Sequence, residues 1–205
     1  FVAVWSPRHL DITWTYLLDA HSQAGDLLTR MYPPEWSYFS DIVQPLLETI
    51  HIATLGTAVT VVRALPLAFL SARNTTPNSL TWVIGRFILV ASRSINTVVW
   101  ALVFVAIFGP GPMAGIWAIA ARSLGFMGKL IGEAIEEVDH DTVEAIEATG
   151  ASRLKVLLIG VLPQVMPVIY GTPVYRWDIN RRESTVLGFV GAGGIGIQRY
   201  SSINQ

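Results

Sequence analysis

The chain has 205 residues, of which 52% are hydrophobic and only 14% are Asp, Glu, Lys or Arg, about half the roughly 25% charged fraction of soluble domains. Its mean hydropathy is +0.48 and its formal net charge is −1; neither a soluble enzyme nor a phosphate-neutralising nucleic-acid surface is expected. Cysteine is absent, and His9, His21, His51 and His140 are scattered, so no disulfide scaffold, thiolate zinc site, cysteine nucleophile or other metal cluster is expected.

Phe1 reads as an internal start, and residues 1–47 as the incomplete end of a first span followed by an interfacial stretch. Pro7, Pro33, Pro34 and Pro45 break this stretch, and Trp14, Trp36, Tyr16, Tyr32 and Tyr38 suit a headgroup region where ring and polar tip are both satisfied. A membrane domain is expected over 48–198. Its first full span is 48–72, interrupted by Arg63 and bent by Pro66, and its second is 80–108, carrying Arg86 and Arg93. Gly109-Pro110-Gly111-Pro112 then predicts a tight turn. A third span follows over 113–131 with Arg122 inside it, and a fourth runs from about 154 to 187, kinked at Pro163 and Pro167. Residues 94–121 and 156–175 are charge-free runs of 28 and 20, each exceeding the roughly 18 apolar residues that mark a candidate span. Residues 199–205 read as the start of a further segment.

Between the third and fourth spans, residues 129–155 hold ten charges in 27 positions, which places this segment outside hydrocarbon. Asp141 with Glu144 three residues on reads as a capping box, Gly150 as the stop, and Ser152 as the cap of the next helix. A short surface helix over 142–149, joined tightly to a kinked span, follows.

The chain carries no H-E-x-x-H, G-x-S-x-G or G-x-x-x-x-G-K-[ST] pattern, so any ATP chemistry is expected in a partner. Gly191-Ala-Gly193-Gly194-Ile-Gly196 satisfies G-x-G-x-x-G, but a lone match is weak. Gly191, Gly193, Gly194 and Gly196 are better read as a non-helical turn lining a gate, since irregular backbone at membrane depth must be buried in protein or face a cavity. Arginines inside spans require partners or water. Arg63, Arg86 and Arg122 read as snorkelling residues near span ends. That leaves Arg93 with Asn96, and Arg176 with Asp178 and Arg182, as substrate-path residues. Arg176 has either Asp178 or Glu183 available as a partner, and Arg182 has Asp178 at i, i+4. Surplus positive charge, including Arg181, would attract an anionic substrate.

Glu144-Ala145-Ile146-Glu147-Ala148-Thr149-Gly150, followed by Gly160-Val161-Leu162-Pro163, resembles the E-A-A-x-x-x-G-x9-I-x-L-P loop of bacterial ABC importer permeases. Ile146 and Gly160 depart from that pattern. Gly160 to Pro167, Ser92 to Asn96 and Val190 to Gly196 look like the phosphonate-transport branch, and the resemblance spans roughly 45–198. It implies an all-α, polytopic transmembrane bundle of the type I ABC importer permease architecture in the bacterial cytoplasmic membrane. It implies transport of phosphonate, phosphate or phosphite by a homodimer of permease copies, with two ATPase subunits that bind ATP and Mg and an extracytoplasmic binding protein. An importer of another small solute such as methionine is the alternative. Asp141, Glu144, Ala145, Ala148, Gly150, Leu162 and Pro163 are thereby assigned to ATPase coupling. The same resemblance places 73–79 and 129–155 in the cytoplasm and 109–112 and 191–196 outside.

Overall fold

The computed structural model describes residues 22–26, 28–29 and 39–194. The chain divides into two units, 1–41 and 42–205. In the first, residues 22–26 are helical and the Thr29 hydroxyl donates to the Asp26 carbonyl at 2.9 Å. Most of the stretch expected to be interfacial lies outside the described residues.

Six main helices carry the rest, and no strand occurs among the described residues. Helix α1 runs Phe39–Ser71, beginning nine residues before the expected span. Asp41 in its first turn favours the helix dipole, and Pro45 is accommodated within the helix, its carbonyl accepting the Thr49 hydroxyl at 2.8 Å. Apart from Ile52, the buried stripe of α1 is made of small residues, among them Ala53, Gly56, Thr57, Thr60, Ala64 and Ala68, which lets neighbouring backbones approach closely.

The expected single span over 80–108 is instead broken. Helices α2 (Ser79–Ser94) and α3 (Thr97–Phe108) meet at 96°. Ile95 and Asn96 are extended, and the Asn96 side chain accepts the Val98 N–H at 3.0 Å, capping a new helix where the old one ends. Helix α4 (Pro112–Glu136) starts with Pro at its first turn, where a missing N–H costs nothing. Three helical segments are long and apolar enough to cross a membrane, or four if the bent pair counts as one.

The α4 face that meets α2 is nearly bare backbone. A Cβ on Gly125 would stand 2.2 Å from the Leu89 carbonyl oxygen and 2.9 Å from the Arg93 nitrogen. Ser92 exploits that contact: its hydroxyl donates to the Ala121 carbonyl and accepts the Gly125 N–H at 3.2 Å.

Helix α5 (His140–Ala148) is followed by one α-turn, Arg153–Lys155, a π-helical turn, Val156–Val161, and helix α6 (Leu162–Leu187), which ends in a 3-10 turn, Gly188–Val190. The sequence predicts proline kinks here; the π turn before Pro163 is the actual irregularity, with Pro163 in the first turn of α6 and Pro167 and Pro173 inside it. Ser152 stands at the cap position but makes no side-chain cap bond.

Two apolar clusters hold the bundle. One joins Ala68, Ala72, Ile131, Ile135, Val138, Val161, Val165 and Ile169; the other joins Ile52, Ala101, Ala114, Ala118, Ile119, Leu187 and Ala192. Along α1, α4 and α6 alike, buried polar residues lie between them: Thr57 and Thr60, Ser123, and Arg176 and Asn180.

Gly125→Ala should destabilise the bundle by about 1–3 kcal/mol, as overpacking against backbone does, whereas Gly171→Ala, with nothing within 4 Å of its Cβ, should be neutral or stabilising by up to about 1 kcal/mol. Equilibrium unfolding in mixed detergent checks the ordering.

Candidate functional site: a polar layer and a surface helix

Residues Thr172, Arg176, Asn180 and Ser184 recur every four positions on α6, and all are buried. At that spacing they form one polar stripe, aimed at α4 and α1. Its hydrogen bonds run in one direction: Arg176 Nε donates to Ser123 Oγ at 3.0 Å, Ser123 to Asn180 Oδ1 at 2.9 Å, Asn180 Nδ2 to Thr57 Oγ1 at 2.9 Å, and Thr57 to the Ala53 carbonyl at 2.7 Å. Below it, Ser184 donates to the Thr49 carbonyl at 3.2 Å.

Glu183 closes the layer electrostatically. Its Oε2 lies 3.6 Å from Arg176 Nη2 and accepts the Thr97 hydroxyl at 2.6 Å, while its Oε1 lies 3.6 Å from Arg122 Nε. Arg122 also donates from Nη1 to the Ile95 carbonyl at 3.1 Å, and the Arg176 guanidinium sits 5.3 Å from the Phe126 ring centroid. One carboxylate therefore ties α4 and α6 to the α2–α3 break.

The path residues read from the sequence are only partly brought together. Arg176 pairs with Glu183, not Asp178; Asp178 instead engages Arg182 and, at 3.4 Å, Arg181 on the exposed side of α6. Asn96 is the α3 cap. Arg93 is exposed and lines a separate cavity between α2 and α4. Arg122, taken from the sequence as a snorkelling residue, belongs to the ion network, and Arg63 lies 4.3 Å from the Trp117 ring centroid. The sequence reading does not include Thr57, Thr97, Ser123 or Asn180; the four-residue repeat in α6 is a signal for Asn180, whereas Thr57, Thr97 and Ser123 join only through contacts between helices.

The glycine turn packs against the far end of α1 and α4. The Gly111 N–H donates to the Gly191 carbonyl at 2.9 Å, so the turn between α3 and α4 and the turn after α6 lie at one end. Gly193 has φ of 86°, and a Cβ there would stand 3.0 Å from Glu48, Ile52 and Pro112 atoms at once; only glycine fits. Gly194 is equally enclosed, by Thr49, and Gly196 lies outside the described residues.

At the opposite end, α5 has no buried residue, and Glu144, Ala145 and Ala148 are all exposed. The cap differs from the expected one. Asp139 takes that place, two residues before the cap read from the sequence: its Oδ1 accepts the Asp141 N–H at 3.1 Å and its Oδ2 the Thr142 hydroxyl at 2.6 Å. Asp141 sits in the first turn, where its charge suits the helix dipole. Gly150 ends the segment at φ 77°, its N–H bonded to the Glu147 carbonyl at 2.9 Å. Gln164 links this helix to the span: its Oε1 accepts the Asp139 N–H at 2.9 Å and its Nε2 donates to the Gly160 carbonyl at 2.8 Å. Leu162 packs against the adjoining apolar cluster, and Pro163 is exposed beside it.

Residues 64–205 match the family described as binding-protein-dependent transport system inner membrane component. The chain belongs to that family. It is a multi-pass inner-membrane permease, 41% identical over 98% of its length to the phosphite transport system permease protein PtxC of Stutzerimonas stutzeri, of which it covers 73%. It is 40% identical over 95% of its length to the phosphate-import permease protein PhnE of Mycolicibacterium smegmatis, of which it covers 36%. Among solved structures, an inward-facing methionine ABC transporter superposes with a TM-score of 0.71 at 21% identity, over 82% of each chain. The permease thus has the fold of type I ABC importer permeases.

Two predictions follow from this geometry. Glu183→Ala leaves two guanidinium groups without their shared carboxylate and should cost about 3–5 kcal/mol, against about 1 kcal/mol or less for Asp178→Ala on the exposed face, read by equilibrium unfolding in mixed detergent. The second concerns pH. The Thr142 hydroxyl and then the Asp141 N–H hold the Asp139 carboxyl below the ordinary carboxylate value. A depressed value in the folded state means that the cap's contribution is full above the ordinary carboxylate range and is lost as pH falls through the depressed value. Asp139→Ala should speed amide exchange in the first turn of α5 at neutral pH, and this difference from wild type should vanish in strong acid.

Proposed function

We propose that this permease forms the translocation path of an ATP-driven importer for a small phosphorus oxyanion, the class that includes phosphite, phosphate and phosphonate. The observation that carries this reading is the 41% identity to a phosphite permease along almost the whole chain, joined to the buried Arg176 and the half-buried Arg122 beside it. The methionine alternative has weaker support: the solved methionine transporter shares the fold at 21% identity.

In this reading the end bearing α5 is cytoplasmic and docks on a separate ATPase subunit, which binds Mg and ATP; two such subunits serve a homodimer of this chain. An extracytoplasmic binding protein delivers the anion toward the end bearing the glycine turn. Glu144, Ala145 and Ala148 present the docking face, with Asp141 in the first turn and Gly150 setting the exit. Gln164, Leu162 and Pro163 carry displacement of α5 through the π turn into α6. The polar stripe of α6 then shifts against α1 and α4, a rocking between two packed arrangements. The exposed Asp178, Arg181 and Arg182 group faces the water-filled path or the second copy, because charges at membrane depth do not face lipid. Gly191, Gly193, Gly194 and Gly196 form the outer gate.

The test is uptake of labelled phosphite, phosphate and methylphosphonate into vesicles containing the permease, its ATPase and its binding protein. ATP-dependent accumulation of at least one of these anions is expected, and nucleotide-independent flux, or uptake of methionine alone, contradicts the proposal. Glu144→Lys should weaken ATPase association or uncouple hydrolysis from uptake while leaving the binding protein's affinity unchanged.

A further inference from the structure

A half-open cavity of about 560 Å³ lies between α2 and α4, and its lining shares no residue with the polar layer. Arg86, Arg93, Lys129, Glu133 and Glu136 all line it. The carboxylates are already engaged. Glu133 Oε1 lies 3.3 Å from Lys129 Nζ, and Glu136 Oε1 accepts the Arg73 backbone N–H at 2.9 Å. Arg86 and Arg93 have no carboxylate within ion-pair distance among the described residues; Arg86 has only the Trp82 ring, 5.1 Å from its guanidinium to the centroid.

The two arginines are seven residues apart on α2, two turns and about 10 Å along one face. Leu89, between them, fixes that face against α4: a Cβ on Gly128 would fall 2.4 Å from its Cδ2. Both residues therefore line one hollow, and neither guanidinium has a carboxylate among the described residues to neutralise it. Arginine stays charged in proteins, and both residues are exposed to solvent, so an anion can reach them. A tetrahedral phosphoryl group accepts paired N–H donors from a guanidinium and supplies the missing negative charge.

We propose that this cavity binds a phosphoryl anion through Arg86 and Arg93, with Lys129 beside them. Two sources supply that chemistry. One is the headgroup of an anionic phospholipid, whose acyl chains would lie along the exposed Phe87 and Val90 of α2; basic pockets between membrane helices hold such headgroups. The other is a free phosphorus oxyanion. The inference rests on two arginines that line one cavity without carboxylate partners among the described residues, and it stands whatever the permease carries.

The test uses the full-length permease, purified with its native subunits into phosphatidylcholine nanodiscs. The unfolding midpoint is followed while dioctanoyl-phosphatidylglycerol or, separately, inorganic phosphite is titrated. Wild type should show a saturable rise with at least one anion, and the tighter of the two names the source. Arg86→Gln and Arg93→Gln should each weaken that binding about tenfold, the loss of one charge-assisted contact. Arg93→Lys should recover part of it, and Lys155→Gln, outside the cavity, should leave it unchanged. The absence of a saturable response to either anion in wild type, or equal affinities in wild type and both Gln variants, overturns the proposal.

Discussion

The Arg176 side chain is only 6% exposed, and a guanidinium does not discharge to relieve its burial. Something must neutralise it inside the bundle, and Glu183 does so while also pairing with Arg122 and accepting from Thr97. That obligation organises much else. Thr97 and Ile95 flank the break between α2 and α3, so the carboxylate and its two arginines hold a 96° bend in place. Arg122 Nε remains without a hydrogen bond, at ion-pair rather than hydrogen-bond distance from Glu183. The remaining polar side chains relay donors away from Arg176 until the last hydroxyl reaches a backbone carbonyl. Apolar clusters above and below seal this layer, and without them the charges would be screened by water and the bend unsupported.

The surface end obeys a different economy of contacts. Helix α5 buries none of its residues fully, so its position depends on polar links at its entry, on Val143 packed against the adjoining apolar cluster and on its contact with the π turn. Gln164 supplies the link by bonding to both the entry of α5 and the carbonyl of Gly160. Gly160 itself leaves room for Ile146, whose Cδ1 would stand 3.2 Å from a Cβ there. The two positions that depart from the family pattern, Ile146 and Gly160, thus touch one another. A larger residue at one is matched by a smaller one at the other.

Much of this was legible in the sequence because it depends on local chemistry. The charge-free run 156–175 located the last span, whereas the run 94–121 crosses α3, a turn and the first part of α4; the density of charges over 129–155 located the surface helix, and Gly150 ended it. What escaped depends on which residues meet across helices. The α2–α3 break sits inside an apolar stretch, and Asn96 resembles a path residue until its cap bond to Val98 is seen. Asp141 looks like a cap because Glu144 follows it at the right spacing, yet Asp139 accepts two hydrogen bonds two residues earlier and takes the cap position. Arg122 reads as a snorkelling residue because its partner, Glu183, is 61 positions away along the chain. Pro163 advertises a kink, but nothing local announces a π turn. The α6 stripe was readable in principle, since its four-residue spacing is a helical signature.

A double-mutant cycle on Arg176 and Glu183, using Arg176→Met, Glu183→Gln and the pair, tests most directly whether their interaction holds the interior together. Equilibrium unfolding in mixed detergent should give a coupling free energy of about 1.5–3 kcal/mol, as directly contacting charged partners do. Additivity within about 0.5 kcal/mol would contradict the account, leaving the bend and the polar layer to be held by apolar packing alone.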